Sequence, residues 1–91
     1  MPELFEIRGY KIYFWSNEGS EPIHVHIAKG KPTPNGTKVW ILSNGGISPG
    51  KNTSRIPKKE LGILHDIISR NAEMIIIAWC KHISSAPKFL Y

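Results

Sequence analysis

The chain has 91 residues, 41% of them hydrophobic and 10% aromatic, and a formal net charge of +5; that is material for one domain, residues 1–91, with a small core. No tract combines low hydrophobicity with high charge as disorder would, and a single cysteine, Cys80, excludes an internal disulfide and fits a cytoplasmic setting. Glu3 and Glu6 stand where a secretory signal would be basic and then apolar, and the longest apolar run, Met74 to Cys80, is too short to cross a bilayer, so no membrane partner is expected.

Gly9 to Trp15 alternates, with Tyr10, Ile12 and Phe14 on one face and Lys11, Tyr13 and Trp15 on the other, which predicts a strand. Residues 16–22, Ser-Asn-Glu-Gly-Ser-Glu-Pro, are turn formers, and Ile23 to Lys29 reads as a second strand. So short a connector demands an antiparallel hairpin. A loop over residues 30–36 ends in the turn signal Asn35-Gly36 and leads to a third strand, Thr37 to Leu42. Ile47 to Arg55 is broken by Pro49 and Gly50, leaving an edge strand or a loop open. Pro57 opens a helical segment in which Leu61, Leu64, Ile68, Ala72, Ile75, Trp79 and Ile83 form one apolar stripe. Asn71 could cap a second helix, so one interrupted helix or two both fit. Met74 to Trp79 is apolar nearly all round, which predicts full burial or cover by a second subunit, and Pro87 begins a short tail.

The expected architecture is α+β, with a β-rich part over residues 1–56, a helical part over 57–85 and a tail over 86–91. An antiparallel sheet of three or four strands is covered on one face by the C-terminal helical segment. Strands followed by helix exclude a doubly wound nucleotide-binding fold.

The charge is unevenly placed. Residues 1–21 carry four acids against Arg8 and Lys11, and residues 60–91 balance. Residues 22–59 hold Lys29, Lys31, Lys38, Lys51, Arg55, Lys58 and Lys59 and no acid. A one-signed segment of this kind attracts polyanions, so these seven are the candidate anion or nucleic-acid contacts, against the alternative of a solvated face. Trp15, Trp40, Tyr10 and Tyr13 would stack on bases if exposed, although core packing is the commoner fate in so small a domain.

The sharpest chemical feature is Ile23-His24-Val25-His26-Ile27. Alternate residues of a strand share a face, so the two imidazoles start about 6.6 Å apart on one side. Such a pair can ligate a divalent metal, flank a phosphate as general base and general acid, or simply form a polar strand face. No other cofactor is expected. A metal site needs further ligands: Glu18 and Glu21 are the nearest acids, and of His65 and His82, roughly 25 Å apart on a straight helix, at most one could join. Lys29, three residues beyond His26, falls on the other face. Cys80, Lys81 and His82 diverge on a helix, and no nucleophile–base–orienter set is readable, so the reading leans away from an enzyme, with His24 and His26 the only catalytic candidates.

Together, Ile12-Tyr13-Phe14-Trp15, Asn17, Pro22, His24 and His26 resemble the pattern of a small prokaryotic family, domain of unknown function 4160. Lys29-Gly30-Lys31-Pro32, Thr37-Lys38-Val39-Trp40, Ser43-Asn44-Gly45-Gly46, Ser54-Arg55-Ile56-Pro57, Asp66-Ile67-Ile68 and Trp79-Cys80-Lys81 extend the likeness over nearly the whole chain. The resemblance implies a gene context like that of toxin–antitoxin modules and supplies no catalytic residue. The first expectation is therefore a cytoplasmic binding or regulatory module that engages nucleic acid or a small partner protein through its basic centre. The alternatives are a metal-binding or nuclease-like protein centred on His24 and His26, and a homodimer formed through Met74–Trp79.

Overall fold

Two adjacent residues with positive φ, Arg8 at 55° and Gly9 at 84°, fold the start of the chain into a two-residue hairpin whose twist suits the flanking strands. They join β1 (Glu3–Ile7) to β2 (Tyr10–Tyr13) in the computed structural model, which describes residues 3–83 and 86–90. The chain continues through β3 (His24–Lys29), β4 (Thr37–Ile41), β5 (Ile47–Pro49), α1 (Lys58–Arg70) and α2 (Ala72–His82). The sheet is an antiparallel meander in sequence order, β1-β2-β3-β4-β5. It has five strands rather than the three or four expected. β1 carries neither clean alternation nor a glycine-asparagine turn, and β5 is a three-residue edge strand in the stretch that Pro49 and Gly50 left ambiguous.

Register divides the sheet into two faces, because cross-strand partners project the same way. Ile12 pairs with Ile27 and Val25 with Val39, and these side chains join Phe14, Ile23 and Ile41 in the core. The opposite face carries Tyr13 beside His26, His26 beside Lys38, and His24 beside Trp40.

The helical stripe packs on the core as its spacing predicts: Leu64, Ile68, Ala72, Ile75, Trp79 and Ile83 are buried and Leu61 partly so. Each full burial of an aliphatic chain contributes about 1.5–3 kcal/mol. The stripe runs across two helices that meet at Asn71. Asn71 stands before α2, but its side-chain amide donates backwards to the Ile67 carbonyl at 2.8 Å; its own carbonyl, not its side chain, receives the Ile75 N–H. The α2 helix ends at His82, short of the expected residue 85; residues 84–85 lie outside the described residues. Met74–Trp79 is not buried all round. Ile75 and Trp79 turn inward, whereas Met74 is 39% and Ile77 61% exposed.

Two further ties position the site. The tail returns to the sheet, where the Ile23 N–H donates to the Lys88 carbonyl at 2.8 Å, one residue before His24. The loop between β5 and α1 is pinned by Asn52, whose Oδ1 accepts from the Thr37 hydroxyl and the Ile56 N–H, and by Ser54, whose hydroxyl donates to the Ile27 carbonyl. Tyr10 reaches from β2 to donate its hydroxyl proton to the Glu60 carboxylate on α1. That bond, with burial behind it, raises the phenol above its ordinary pKa.

Candidate metal centre

The His24 and His26 side chains leave one strand on the face opposite Val25 and Ile27, as the two-residue period requires. Both are buried, His24 completely and His26 to 3% exposure, and their ring centroids stand 5.0 Å apart at 85°. Tyr13 stacks on His26 at 5.5 Å. Trp40 and Trp79 approach His24 edge-on at 5.2 and 5.3 Å. Aromatic walls therefore fix both rings and keep water from most of their surface.

The other ring nitrogens decide the chemistry. His24 Nδ1 is 2.8 Å from the Pro22 carbonyl and His26 Nδ1 is 3.3 Å from the Gly36 carbonyl. A carbonyl oxygen only accepts, so each Nδ1 carries a proton and donates it. Both Nε2 atoms point at one carboxylate: in a neutral His24 ring Nε2 then presents a bare lone pair, whereas His26 Nε2 hydrogen-bonds to Glu18 Oε1 and Oε2, each at 3.2 Å, and donates to them when it carries a proton. Glu18 Oε1 lies 3.1 Å from His24 Nε2, and Glu18 Oε2 lies 3.2 Å from His26 Nε2. The contact with His24 has the distance of a hydrogen bond but not its alignment, and His24 Nε2 is a fully buried nitrogen with no hydrogen-bond partner. Three metal-ligating groups thus face one small volume. One ligand atom from each of Glu18, His24 and His26 lies within 4.8 Å of the others.

Glu18 is aimed by the turn that carries it. Its N–H donates to the Trp15 carbonyl at 3.1 Å, and its Oε1 accepts the Trp15 N–H at 3.1 Å. Burial pushes the Glu18 carboxyl up, but the imidazole of His24, the Trp15 N–H and His26 together outweigh it, and the group sits below its ordinary pKa. It is held as an anion. Behind it stands Glu21, whose Oε2 is 3.5 Å from His24 Nε2 and 3.6 Å from Lys38 Nζ. That oxygen, too, is buried without a hydrogen bond.

A divalent metal fits this set. Zinc bonds to imidazole nitrogen and carboxylate oxygen at about 2.0–2.2 Å, which sets tetrahedral ligand–ligand edges of roughly 3.3 Å. The two Glu18–histidine separations already match such an edge. Nδ1–H donation to backbone carbonyls is also the usual way a protein orients a histidine that ligates through Nε2.

The structure brings together fewer of the sequence candidates than were named. Neither His65 nor His82 joins the pair. His65 is half-buried on α1, and His82 is exposed with its ring 6.1 Å from Phe14. Of the seven cations, only Lys38 and Lys51 line the clefts beside the histidines. Lys29 lies over the Tyr10 ring at 5.7 Å, Lys31 and Arg55 sit on exposed loops, and Lys58 and Lys59 begin α1. Tyr10 and Tyr13 are buried and unavailable for stacking on bases, whereas Trp15 and Trp40 are half-buried. Glu18, which sequence reading named only as a neighbouring acid, is the third member of the centre. Its signal was its place two residues before Ser20-Glu21-Pro22, in a connector too short to lie anywhere but over the hairpin's own face.

No helix of the described residues is long and apolar enough to cross a membrane. No curated protein and no solved structure matches the chain. The family described as "Domain of unknown function (DUF4160)" matches residues 9–80, from the turn before β2 nearly to the end of α2, and the chain belongs to that family.

Proposed function

We propose that this domain is a divalent-metal-binding module of the zinc class, with Glu18, His24 and His26 as protein ligands. One observation carries the reading: ligand atoms of Glu18, His24 and His26 lie within 4.8 Å of one another, and His24 Nε2, its Nδ1 committed to the Pro22 carbonyl, is buried without a hydrogen-bond partner. A buried acceptor with no donor costs about 1–3 kcal/mol, and a cation bound at His24 Nε2 would relieve it. Three ligands leave a fourth position, and the two clefts that share Glu18 and Pro34 supply its access. The arrangement supports ligand binding at the metal ahead of binding by the basic segment alone, since only Lys38 and Lys51 of that segment border the clefts.

The test is a cobalt(II) titration of tag-free protein, followed by its visible absorption. Stoichiometric binding with the intense bands of a four-coordinate site is expected, and zinc should displace cobalt. Replacing His24 or His26 by Ala should weaken cobalt binding by about a hundredfold or more, with circular dichroism unchanged. Failure of the wild-type protein to bind one cobalt at micromolar concentration would overturn the reading.

A further inference from the structure

We infer that the groove beside the centre takes a phosphate-bearing anion as the metal's external ligand, and that Lys51 and Lys38 select it. This rests on the metal reading above. The part of the groove nearest the lysines measures ≈ 410 Å³ and runs from Glu18 and His26, past Trp40, to Lys38, Gly50 and Lys51; that is the size of a small-molecule site. The second cleft, ≈ 480 Å³, meets it at Glu18 and Pro34 and adds Glu21.

The charges around the two clefts give the inference its form. Glu18 and Glu21 cancel Lys38 and Lys51, so the groove is neutral while the centre is empty. A divalent cation leaves it with two positive charges, in a wall formed by buried His26 and half-buried Trp40 where solvent screens weakly. Anion binding therefore depends on metal binding. Lys38 is held in place on two sides, with Nζ 4.7 Å from the centre of the Trp40 ring and 3.6 Å from Glu21 Oε2. That engagement leaves the exposed Lys51 free to move onto an incoming anion. Among anions, phosphate offers one oxygen to the metal and others to lysines on the same side. A single carboxylate has no such third contact.

The experiment titrates inorganic phosphate into cobalt-loaded protein while the visible bands of the metal are followed. Saturable perturbation of the bands is expected, with no phosphate binding by the metal-free protein in calorimetry. Lys51→Gln should weaken phosphate by about fivefold and leave cobalt affinity unchanged, whereas Lys29→Gln, on the opposite face, should change neither. A single-stranded oligonucleotide that displaces phosphate, with salt-sensitive affinity, identifies the source as a nucleic-acid backbone; displacement by a small phosphate monoester alone identifies a small ligand. Bands that do not respond to phosphate, or respond equally in Lys51→Gln, overturn the inference while the metal reading stands. Absence of cobalt binding overturns both.

Discussion

Tyr13→Phe isolates the contribution of one loop to the centre. The Tyr13 ring is fully buried and stacked on His26. Its hydroxyl donates to the Thr33 carbonyl at 2.6 Å and accepts the Thr33 N–H at 3.0 Å, which fastens the connector of residues 30–36 over the histidines. Phenylalanine keeps the ring and removes both bonds. Each is worth about 1 kcal/mol net, and because Thr33 is exposed, water can satisfy its freed backbone groups, so the loss is about 1–2 kcal/mol. For a domain of this size that lowers the thermal midpoint by roughly 5–15 °C. Thermal and urea unfolding followed by circular dichroism measure it, with an unchanged dependence on urea. Because the connector also delivers the Gly36 carbonyl to His26 Nδ1, cobalt affinity should fall as well, though by less than about tenfold, since the ligands themselves are intact. A midpoint equal to wild type would refute the claim that this hydroxyl fastens the connector. A cobalt loss as large as that of His26→Ala would refute the division of roles between them.

Gly36→Ala should be more damaging than its size suggests. A Cβ there would run into the Tyr13 hydroxyl and lie 3.0 Å from the Ile27 carbonyl and 3.2 Å from His26 Cβ, so a loss of about 1–3 kcal/mol with weakened cobalt binding is expected in the same assays. On α2, Ile75→Ala should cost about 2–4 kcal/mol because Ile75 is fully buried. Ile77→Ala, at 61% exposure, should stay within about 0.5 kcal/mol; equal losses would mean that the helix is rotated from the orientation described. Burial holds the His65 imidazole below its ordinary value of 6.5. The unfolded chain therefore takes up this proton first, and the resulting penalty appears as pH falls through 6.5 and is complete below the folded value. Replacing His65 by Gln should flatten the stability profile between pH 7.5 and 5 relative to wild type, and identical profiles would show that the group is not desolvated.

The two periodicities were legible because each is forced by local geometry. The stripe from Leu61 to Ile83 is the buried face of both helices, and the alternation from Tyr10 to Trp15 separates core residues from site residues. The hairpin carrying the histidines followed from the brevity of its connector. β1 escaped because Arg8 occupies a left-handed position that arginine seldom marks, and because an edge strand with half-exposed residues shows no contrast between faces. The centre was half legible. His-x-His names itself, but the tautomers depend on the carbonyls of Pro22 and Gly36, and no side-chain pattern encodes where a carbonyl points. The charge pattern does not encode where its members end up: seven cations within residues 22–59 are dispersed by the meander, and only Lys38 and Lys51 line the clefts beside the histidines.

The proposal that the centre holds a cation, rather than forming only a polar strand face, predicts a result that runs against the usual one of mutating a buried ion pair. With both rings neutral, Nδ1 is committed to a carbonyl in each, and Glu18 meets the Nε2 lone pairs as a third acceptor. If both rings are so held, the metal-free protein bears this clash as lost stability. Glu18→Gln replaces one carboxylate oxygen with an NH2 donor at the same place, able to satisfy a Nε2 lone pair at about 3 Å. Measured at pH 9 without metal, Glu18→Gln should therefore unfold no earlier than wild type and gain up to about 1 kcal/mol. Cobalt at saturating concentration should then raise the wild-type midpoint and leave the variant's nearly unchanged, because a ligand that binds only the folded state stabilises it in proportion to its affinity. If the Glu18 carboxylate instead served the fold through charged imidazoles, the same substitution would remove a buried pair and cost several kcal/mol. The sign of one stability difference thus separates a metal centre awaiting its ion from an internal salt bridge.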